Sequence, residues 1–253
     1  ALDWLERDVA TQHIVLISKP PAPSVVDQIT EFIRRSSKSY TVCLVGSDNL
    51  ALPDNAKLAT TLKDAAATAV TNSKGLEALP AVQRAPVAGS YVRGLYSGGT
   101  LAAEAQVVFL SHGQPVLSNA PVPGAGLFTS ECTNHIMIDL GDDRFTRGRP
   151  HPMIDPAVRD EPICAALSDP DVGAVLLDVV IGFGAHADPA GHLAGLLDRH
   201  GRSGSVVIAS VTGTDEDPQV RARQVSVLER AGVVVAPSNA DAAELALACL
   251  NVG

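Results

Sequence analysis

The sequence predicts an α/β fold built from two tandem parallel-sheet modules, the first incomplete, and three observations predict it. Short apolar runs alternate along the chain with longer segments of helical spacing, the pattern of a parallel sheet with right-handed crossovers. The 253 residues are 46% hydrophobic but only 4% aromatic, which suits Ala/Val/Leu-rich packing of helices on a sheet. A succession of helix, strand, turn, helix and strand also occurs twice, once near the start and once in the second half.

The elements justify this in order. Leu2 to Arg7 reads as the end of a helix, and His13 to Ile17 as a buried strand. The proline-rich turn from Ser18 to Pro23 lacks ladder donors and is a stiff loop. Ser24 to Arg35 then places Val25, Val26, Ile29, Phe32 and Ile33 at helical spacing. Thr41 to Val45 is a strand, Gly46 to Asn55 a loop, and Ala56 to Val70 a helix. Thr71 to Ser90, mixed and rich in Ala and Pro, reads as a linker or partner-docking segment.

The second half is more complete. Tyr91 to Tyr96 is a strand, Ser97 to Thr100 a turn, and Leu101 to Leu110 a helix carrying Glu104. A long loop with Pro115, Pro121, Pro123, Gly124 and Gly126 leads to the strand His135 to Leu140. An Arg-rich loop and a helix over Pro156 to Leu167 follow. Ala174 to Val180, apolar on both sides, is the central buried strand. Gly182 and Gly184 turn the chain, and Asp188-Pro189 starts a helix to His200. Then come the strand Ser205 to Ser210, a helix over Pro218 to Ala231, the strand Val233 to Ala236, and a helix capped by Ser238-Asn239 and ending at Leu250. Five strands here suit a flavodoxin-like order.

The repeat pairs Leu5-Glu-Arg-Asp8 and the strand to Ile17 with Leu167-Ser-Asp-Pro170 and the strand to Ile181. It sets residues 1–78 as the incomplete first module, 79–90 as a linker and 91–253 as the second module. The opening strands of the first are expected in a part of the protein that precedes this sequence, which starts without Met inside an amphipathic pattern of Leu2, Trp4 and Leu5.

Composition narrows the function. A net charge of −9 argues against a broad nucleic-acid surface, so an anionic ligand must be held locally. No apolar run approaches the roughly 20 residues that cross a bilayer, and no signal-peptide pattern opens the chain, so a cytoplasmic protein without membrane partners is expected. Cys43, Cys132, Cys164 and Cys249 lack paired spacing, which disfavours a disulfide or zinc site.

In such a sheet ligands bind at the carboxyl ends of strands. Ser97, Gly98, Gly99 and Thr100 offer small residues and hydroxyls at a helix start, as a phosphate or carboxylate cradle would, though plain capping explains them equally well; Glu104 is grouped with them. Gly182, Gly184 and His186 favour anion binding, because two glycines exceed what a turn requires. Thr212, Gly213 and Thr214 again offer hydroxyls beside a cap at Asp215. Asp142 and Asp143 could hold Mg²⁺, yet adjacent loop carboxylates are more often solvated, and no metal is assigned. Arg144, Arg147, Arg149 and His151 crowd eight residues; Arg suits bidentate contact with carboxylate or phosphate, and pairing with the neighbouring aspartates is the equal alternative. His186 and Arg147 are the candidate catalytic groups. No Ser/His/Asp order, His-Glu-x-x-His or nucleotide-binding glycine loop of the Gly-x-x-x-x-Gly-Lys type appears.

At these loops the chain resembles the FdrA-type proteins, relatives of the succinyl-CoA synthetase α subunit and other NDP-forming acyl-CoA synthetases. The resemblance covers essentially the whole chain. Its most specific pieces are Ile14-Val-Leu-Ile-Ser-Lys-Pro-Pro21, Gly94-Leu-Tyr-Ser-Gly-Gly-Thr-Leu101, Ile138-Asp-Leu-Gly-Asp-Asp-Arg144, Arg147-Gly-Arg-Pro-His-Pro-Met-Ile-Asp155 and Val211-Thr-Gly-Thr214. It implies two succinyl-CoA synthetase-like modules and an acid-thiol (CoA) ligase-like enzyme or a carbamoyltransferase. In the synthetases the turn resembling Gly182 to His186 starts a helix that holds the phosphate of a phosphohistidine, and that histidine lies in a long Gly-His-Ala-Gly loop after the fourth strand. Here Val211 to Pro218 passes straight into the next helix without a histidine, and the ATP-grasp portion is not in this chain. CoA is implied only through an N-terminal region outside it, and no other cofactor is. The implied ligands are an acyl or carbamoyl phosphate, or oxamate in carbamoyl transfer during allantoin breakdown. Partner subunits or a homo-oligomer are implied too, and a non-catalytic scaffold that kept the fold stands as the contrasting reading.

Overall fold

The computed structural model describes residues 1–47, 50–70, 89–129, 133–201 and 204–250, so most of the expected linker, 79–88, lies outside the described residues. The chain divides into two compact units, Ala1–Leu76 and Glu77–Gly253.

In the first unit, α1 (Leu2–Arg7) is followed by β1 (His13–Ser18), α2 (Pro23–Arg35), β2 (Ser39–Leu44), β3 (Ala56–Leu58) and α3 (Leu62–Ala69). The strands form a parallel sheet in the order β1-β2-β3. The start of the helix expected over Ala56 to Val70 is therefore corrected. Ala56-Lys57-Leu58 pairs with β2, and the helix begins only where the Thr61 hydroxyl accepts the Asp64 N–H at 3.0 Å. Ile14, Ile33, Tyr40, Val42 and Leu44 form the core, with Val26, Ile29 and Phe32 from α2 packed on it. A shallow groove of about 640 Å³ lined by Glu6, Asp27, Gln28, Glu31, Phe32, Arg35 and Ser36 lies within this unit. It is a solvated face of ion pairs such as Arg35 to Glu31 at 2.6 Å, and shares no residue with the strand-end loops of the second unit.

The second unit runs β4 (Tyr91–Tyr96), α4 (Gly99–Ser111), β5 (Val116–Ser118), β6 (Gly126–Leu127), β7 (His135–Asp139), α5 (Asp143–Thr146), a single 3₁₀ turn (Pro156–Arg159), α6 (Asp160–Ser168), β8 (Val172–Val180), α7 (Pro189–His200), β9 (Val206–Thr212), α8 (Arg221–Arg230), β10 (Val234–Ala236) and α9 (Asn239–Leu250). Its sheet is parallel throughout, in the order β10-β9-β8-β4-β7-β5-β6. The five expected strands stand in flavodoxin-like order, and two short strands from the proline-rich loop extend the edge beyond β7.

The sheet is covered on both faces. Val175, Leu177 and Val179 of β8 pack with Leu167, Leu193, Leu197 and Leu228 from α6, α7 and α8. The alternate residues Ala174, Leu176 and Asp178 face the side on which α9 packs, with α4 beside it. Each fully buried Leu or Val contributes roughly 1.5–3 kcal/mol. A charged residue among them is costly unless paired, which makes Asp178 the conspicuous exception in β8.

Candidate functional site

The strand order reverses between β4 and β8, and their carboxyl ends leave the crevice where open α/β sheets hold ligands. Asp178 sits there, fully buried. Its Oδ1 accepts the Ser97 N–H at 2.8 Å, and its Oδ2 accepts the Ser97 hydroxyl at 2.7 Å and the Gly98 N–H at 3.2 Å. Arg159, 4% exposed, donates from one guanidinium nitrogen to Asp178 Oδ1 at 2.7 Å, to the Asp178 carbonyl at 3.0 Å and to the Leu95 carbonyl at 3.2 Å. The guanidinium thus ties the ends of both strands and neutralises the carboxylate between them. Beneath it the buried Tyr96 hydroxyl has no partner among the described residues, and burial, with the charges of Asp178 and Glu104, pushes its pKa well up.

Two residues beyond Ser97, α4 begins. Gly98 is its N-cap and has no side chain to cap with. The N–H groups of Gly99, Thr100 and Leu101 find no acceptor among the described residues, while Ser97 and Gly98 spend theirs on Asp178. A helix of 13 residues thus opens with free donors and a partial positive charge at the crevice.

In the other expected cradle the first turn of the helix is engaged. Pro189 has no N–H, Ala190 donates to Gln224 Oε1 at 2.9 Å and Gly191 to Asp188 Oδ1 at 3.2 Å, so the first turn of α7 is satisfied from within. Gly182 is pinned too: its N–H donates to Gln219 Oε1 at 3.1 Å and its carbonyl accepts from Gln219 Nε2 at 3.0 Å. Val220, the residue after Gln219, takes a positive φ of 57°, a conformation costing of order 1–3 kcal/mol for a non-glycine residue. At the expected Gly182 to α7 site, the N–H groups of Gly182, Ala190 and Gly191 are thus engaged by Gln219, Gln224 and Asp188, whereas, among the described residues, that of Gly184 is not.

His186 donates its backbone N–H to the Met153 carbonyl at 2.8 Å, and its Nδ1 accepts the Asp188 N–H at 3.1 Å, which fixes its neutral tautomer with the proton on Nε2. Its ring stands 6.2 Å from that of His192, which bonds Asp160 Oδ1 at 2.7 Å. The segment from His151 to Ile154 therefore bridges the two loop clusters. His151 Nδ1 accepts the Met153 N–H at 3.2 Å. Gly141 packs so closely that a Cβ there would stand 2.6 Å from His151 Nε2 and 2.7 Å from the Ser97 carbonyl.

The remaining candidates fall in three places. Asp142 caps α5 and pairs with Arg144 at 3.3 Å, and Arg144 also donates to the Asn119 carbonyl at 2.8 Å; Asp143, Arg147 and Arg149 are exposed. No group of three or more His, Cys, Asp or Glu suited to a metal occurs among the described residues. Thr212 ends β9, and Gly213 and Thr214 turn onto Asp217, whose Oδ2 accepts the Thr214 N–H at 2.6 Å. Glu104 lies one helical turn inside α4, 1% exposed, and accepts from Asn239 Nδ2 of α9 at 2.8 Å, which places it in interior packing and apart from the free helix end. Sequence reasoning missed Asp178, Arg159, Gln219 and Gln224. A carboxylate inside the run Leu176-Leu177-Asp178-Val179-Val180 was the available signal for the first; the others act over long sequence separations with no local mark.

Known proteins resemble the chain at two scales, the family model over the second unit and the relatives over nearly all of it. A family model described as CoA-ligase matches residues 95–249. The Escherichia coli (strain K12) protein YahF, itself uncharacterized, is 34% identical over 269 residues, which cover 97% of this chain and 52% of YahF, so the chain spans about half the length of that curated relative. Among solved structures, the dinucleotide-forming acetyl-coenzyme A synthetase 1 of Ca. Korarchaeum cryptofilum, in complex with phosphate and ADP, overlaps 98% of this chain and 55% of its own at 16% identity and a TM-score of 0.44. PH0766 from Pyrococcus horikoshii OT3 overlaps 98% and 54% at 13% identity and a TM-score of 0.37.

Proposed function

Because the chain belongs to the CoA-ligase family, we propose that the carboxyl end of its second sheet binds a small phosphorylated acyl or carbamoyl group at the N-terminus of α4. The observation that carries this reading is the free first turn of α4, with the N–H groups of Gly99, Thr100 and Leu101 open at the β4/β8 crevice. Ser238 and Asp188 cap α9 and α7, whereas the first turn of α4 carries no such cap and suits an anion. The buried Asp178 carboxylate adds no uncompensated charge, because Arg159 lies against it.

The finer reading follows the FdrA-type resemblance. The ligand is carbamoyl phosphate, or oxamate and phosphate in carbamoyl transfer within allantoin (purine) catabolism, with exposed Arg147 and Arg149 available to the second anionic group. His186 contributes its Nε2–H as a donor rather than as a phosphate carrier. The activity belongs to a complex or homo-oligomer, with CoA handled outside this chain. No helix among the described residues is long and apolar enough to cross a membrane.

The test is calorimetric titration of the purified chain with inorganic phosphate, carbamoyl phosphate, acetyl phosphate, oxamate, succinate, CoA and ATP. The reading expects phosphate and the acyl or carbamoyl phosphates to bind at one competing site. Binding of none of the phosphorylated compounds would leave a scaffold that kept the fold and lost the ligand.

A further inference from the structure

We propose that Asp178 and Arg159 are positioning residues that set the α4 N-terminus for its anion, a role that rests on the reading above. An anion-binding helix end needs its donors held in place and needs no competing negative charge nearby. Asp178 meets the first need. Its carboxylate fixes the Ser97 N–H, the Ser97 hydroxyl and the Gly98 N–H, which are the backbone and side-chain groups just ahead of the helix. The ligand is left with the next three N–H groups, and the chain path that aims them is set from inside the sheet.

The same carboxylate would repel an anion, because Asp178 is fully buried and a buried charge is weakly screened. Arg159 meets that second need at 2.7 Å. Its other two contacts are the Leu95 and Asp178 carbonyls, so the pair is anchored to the ends of β4 and β8 rather than to a loop. Neither residue touches the ligand in this scheme; both act through Ser97 and Gly98.

The role has a sign that charge alone does not share. Asp178→Asn removes a negative charge beside the anion, so electrostatics alone makes phosphate bind more tightly. Asn, however, offers one acceptor oxygen where the carboxylate offers two, and its amide N–H groups face the donors of Ser97, Gly98 or Arg159. Positioning therefore makes phosphate bind more weakly.

The experiment titrates inorganic phosphate into the whole chain as wild type, Asp178→Asn and Ser97→Ala, with circular dichroism and melting confirming the fold of each. The expected result is a loss of about tenfold or more in affinity for Asp178→Asn, equivalent to about 1.4 kcal/mol, and about threefold for Ser97→Ala, which keeps every charge. Equal or tighter binding by a folded Asp178→Asn chain overturns the role. If Asp178→Asn does not fold, Ser97→Ala decides: a weakening supports the role and an unchanged affinity overturns it. A wild-type chain that binds no phosphate overturns the anion reading and this role with it, whereas failure in the variants alone leaves that reading standing.

Discussion

Replacing Arg159 by methionine removes three hydrogen bonds together, to Asp178 Oδ1 at 2.7 Å, the Asp178 carbonyl at 3.0 Å and the Leu95 carbonyl at 3.2 Å. The aliphatic stem is retained, so the loss falls on the charge. Removing one partner of a buried ion pair costs about 3–5 kcal/mol, because the other charge is left buried and unpaired. Asp178 keeps its donors from Ser97 and Gly98, which places Arg159→Met near the lower end, at about 3 kcal/mol. In the double variant with Asp178→Asn no charge remains to strand, so the two losses fall short of additive by about 2 kcal/mol. Trp4, the single tryptophan, belongs to the first unit, so a probe within the second unit is used. Urea unfolding followed by circular dichroism, with hydrogen exchange of the β4 and β8 amides, isolates the second unit. A loss below 1 kcal/mol, or strict additivity, would show that water reaches the pair and refute the argument.

Gly141→Ala places a Cβ 2.7 Å from the Ser97 carbonyl and 2.6 Å from His151 Nε2, so stability falls by about 1–3 kcal/mol and the His151 ring resonances shift; an unchanged melting curve would contradict the packing. Tyr96→Phe deletes a buried hydroxyl without a partner among the described residues and is neutral or stabilising by up to about 1 kcal/mol, so a clear loss in urea unfolding would mean that the hydroxyl is bonded. Burial, with Arg93 adding, holds the His135 pKa below its ordinary value of about 6.5, and its Nδ1 accepts the Val92 N–H at 3.1 Å. The unfolded chain then binds the proton more readily, so stability is full above about pH 6.5 and declines as the pH falls toward the folded pKa; His135→Gln flattens that decline, and equal slopes would count against it. Finally, the turn from Gly213 to Val220 contains no histidine, so radiolabelled acetyl phosphate leaves no acid-labile, base-stable label; a label lost in His186→Ala would overturn this.

The strand and helix alternation was legible because β8 and its neighbours are apolar runs bounded by glycine or capping residues, and Asp188-Pro189 marks the α7 start plainly. What escaped was short or distant. Ala56-Lys57-Leu58 joins smoothly onto a helix-forming sequence and becomes a strand only by pairing with β2, although Thr61 followed by Asp64 marked the true helix start. The strands β5 and β6 have three and two residues, too few for a period to show. Ser97 to Thr100 could be seen as a helix start, but whether its donors are free depends on Asp178, 81 residues on. The α7 turn looked equally open in sequence and is engaged by Gln219 and Gln224, whose reach no local pattern records.

The most direct test of the central claim follows the backbone amides of the ¹⁵N-labelled chain by NMR during titration with inorganic phosphate. The account predicts that Gly99, Thr100 and Leu101 move most, with saturation at one affinity, while Ala190 and Gly191 at the α7 start stay still. Shifts centred on Ala190 and Gly191, or no saturable shift at α4, would contradict it.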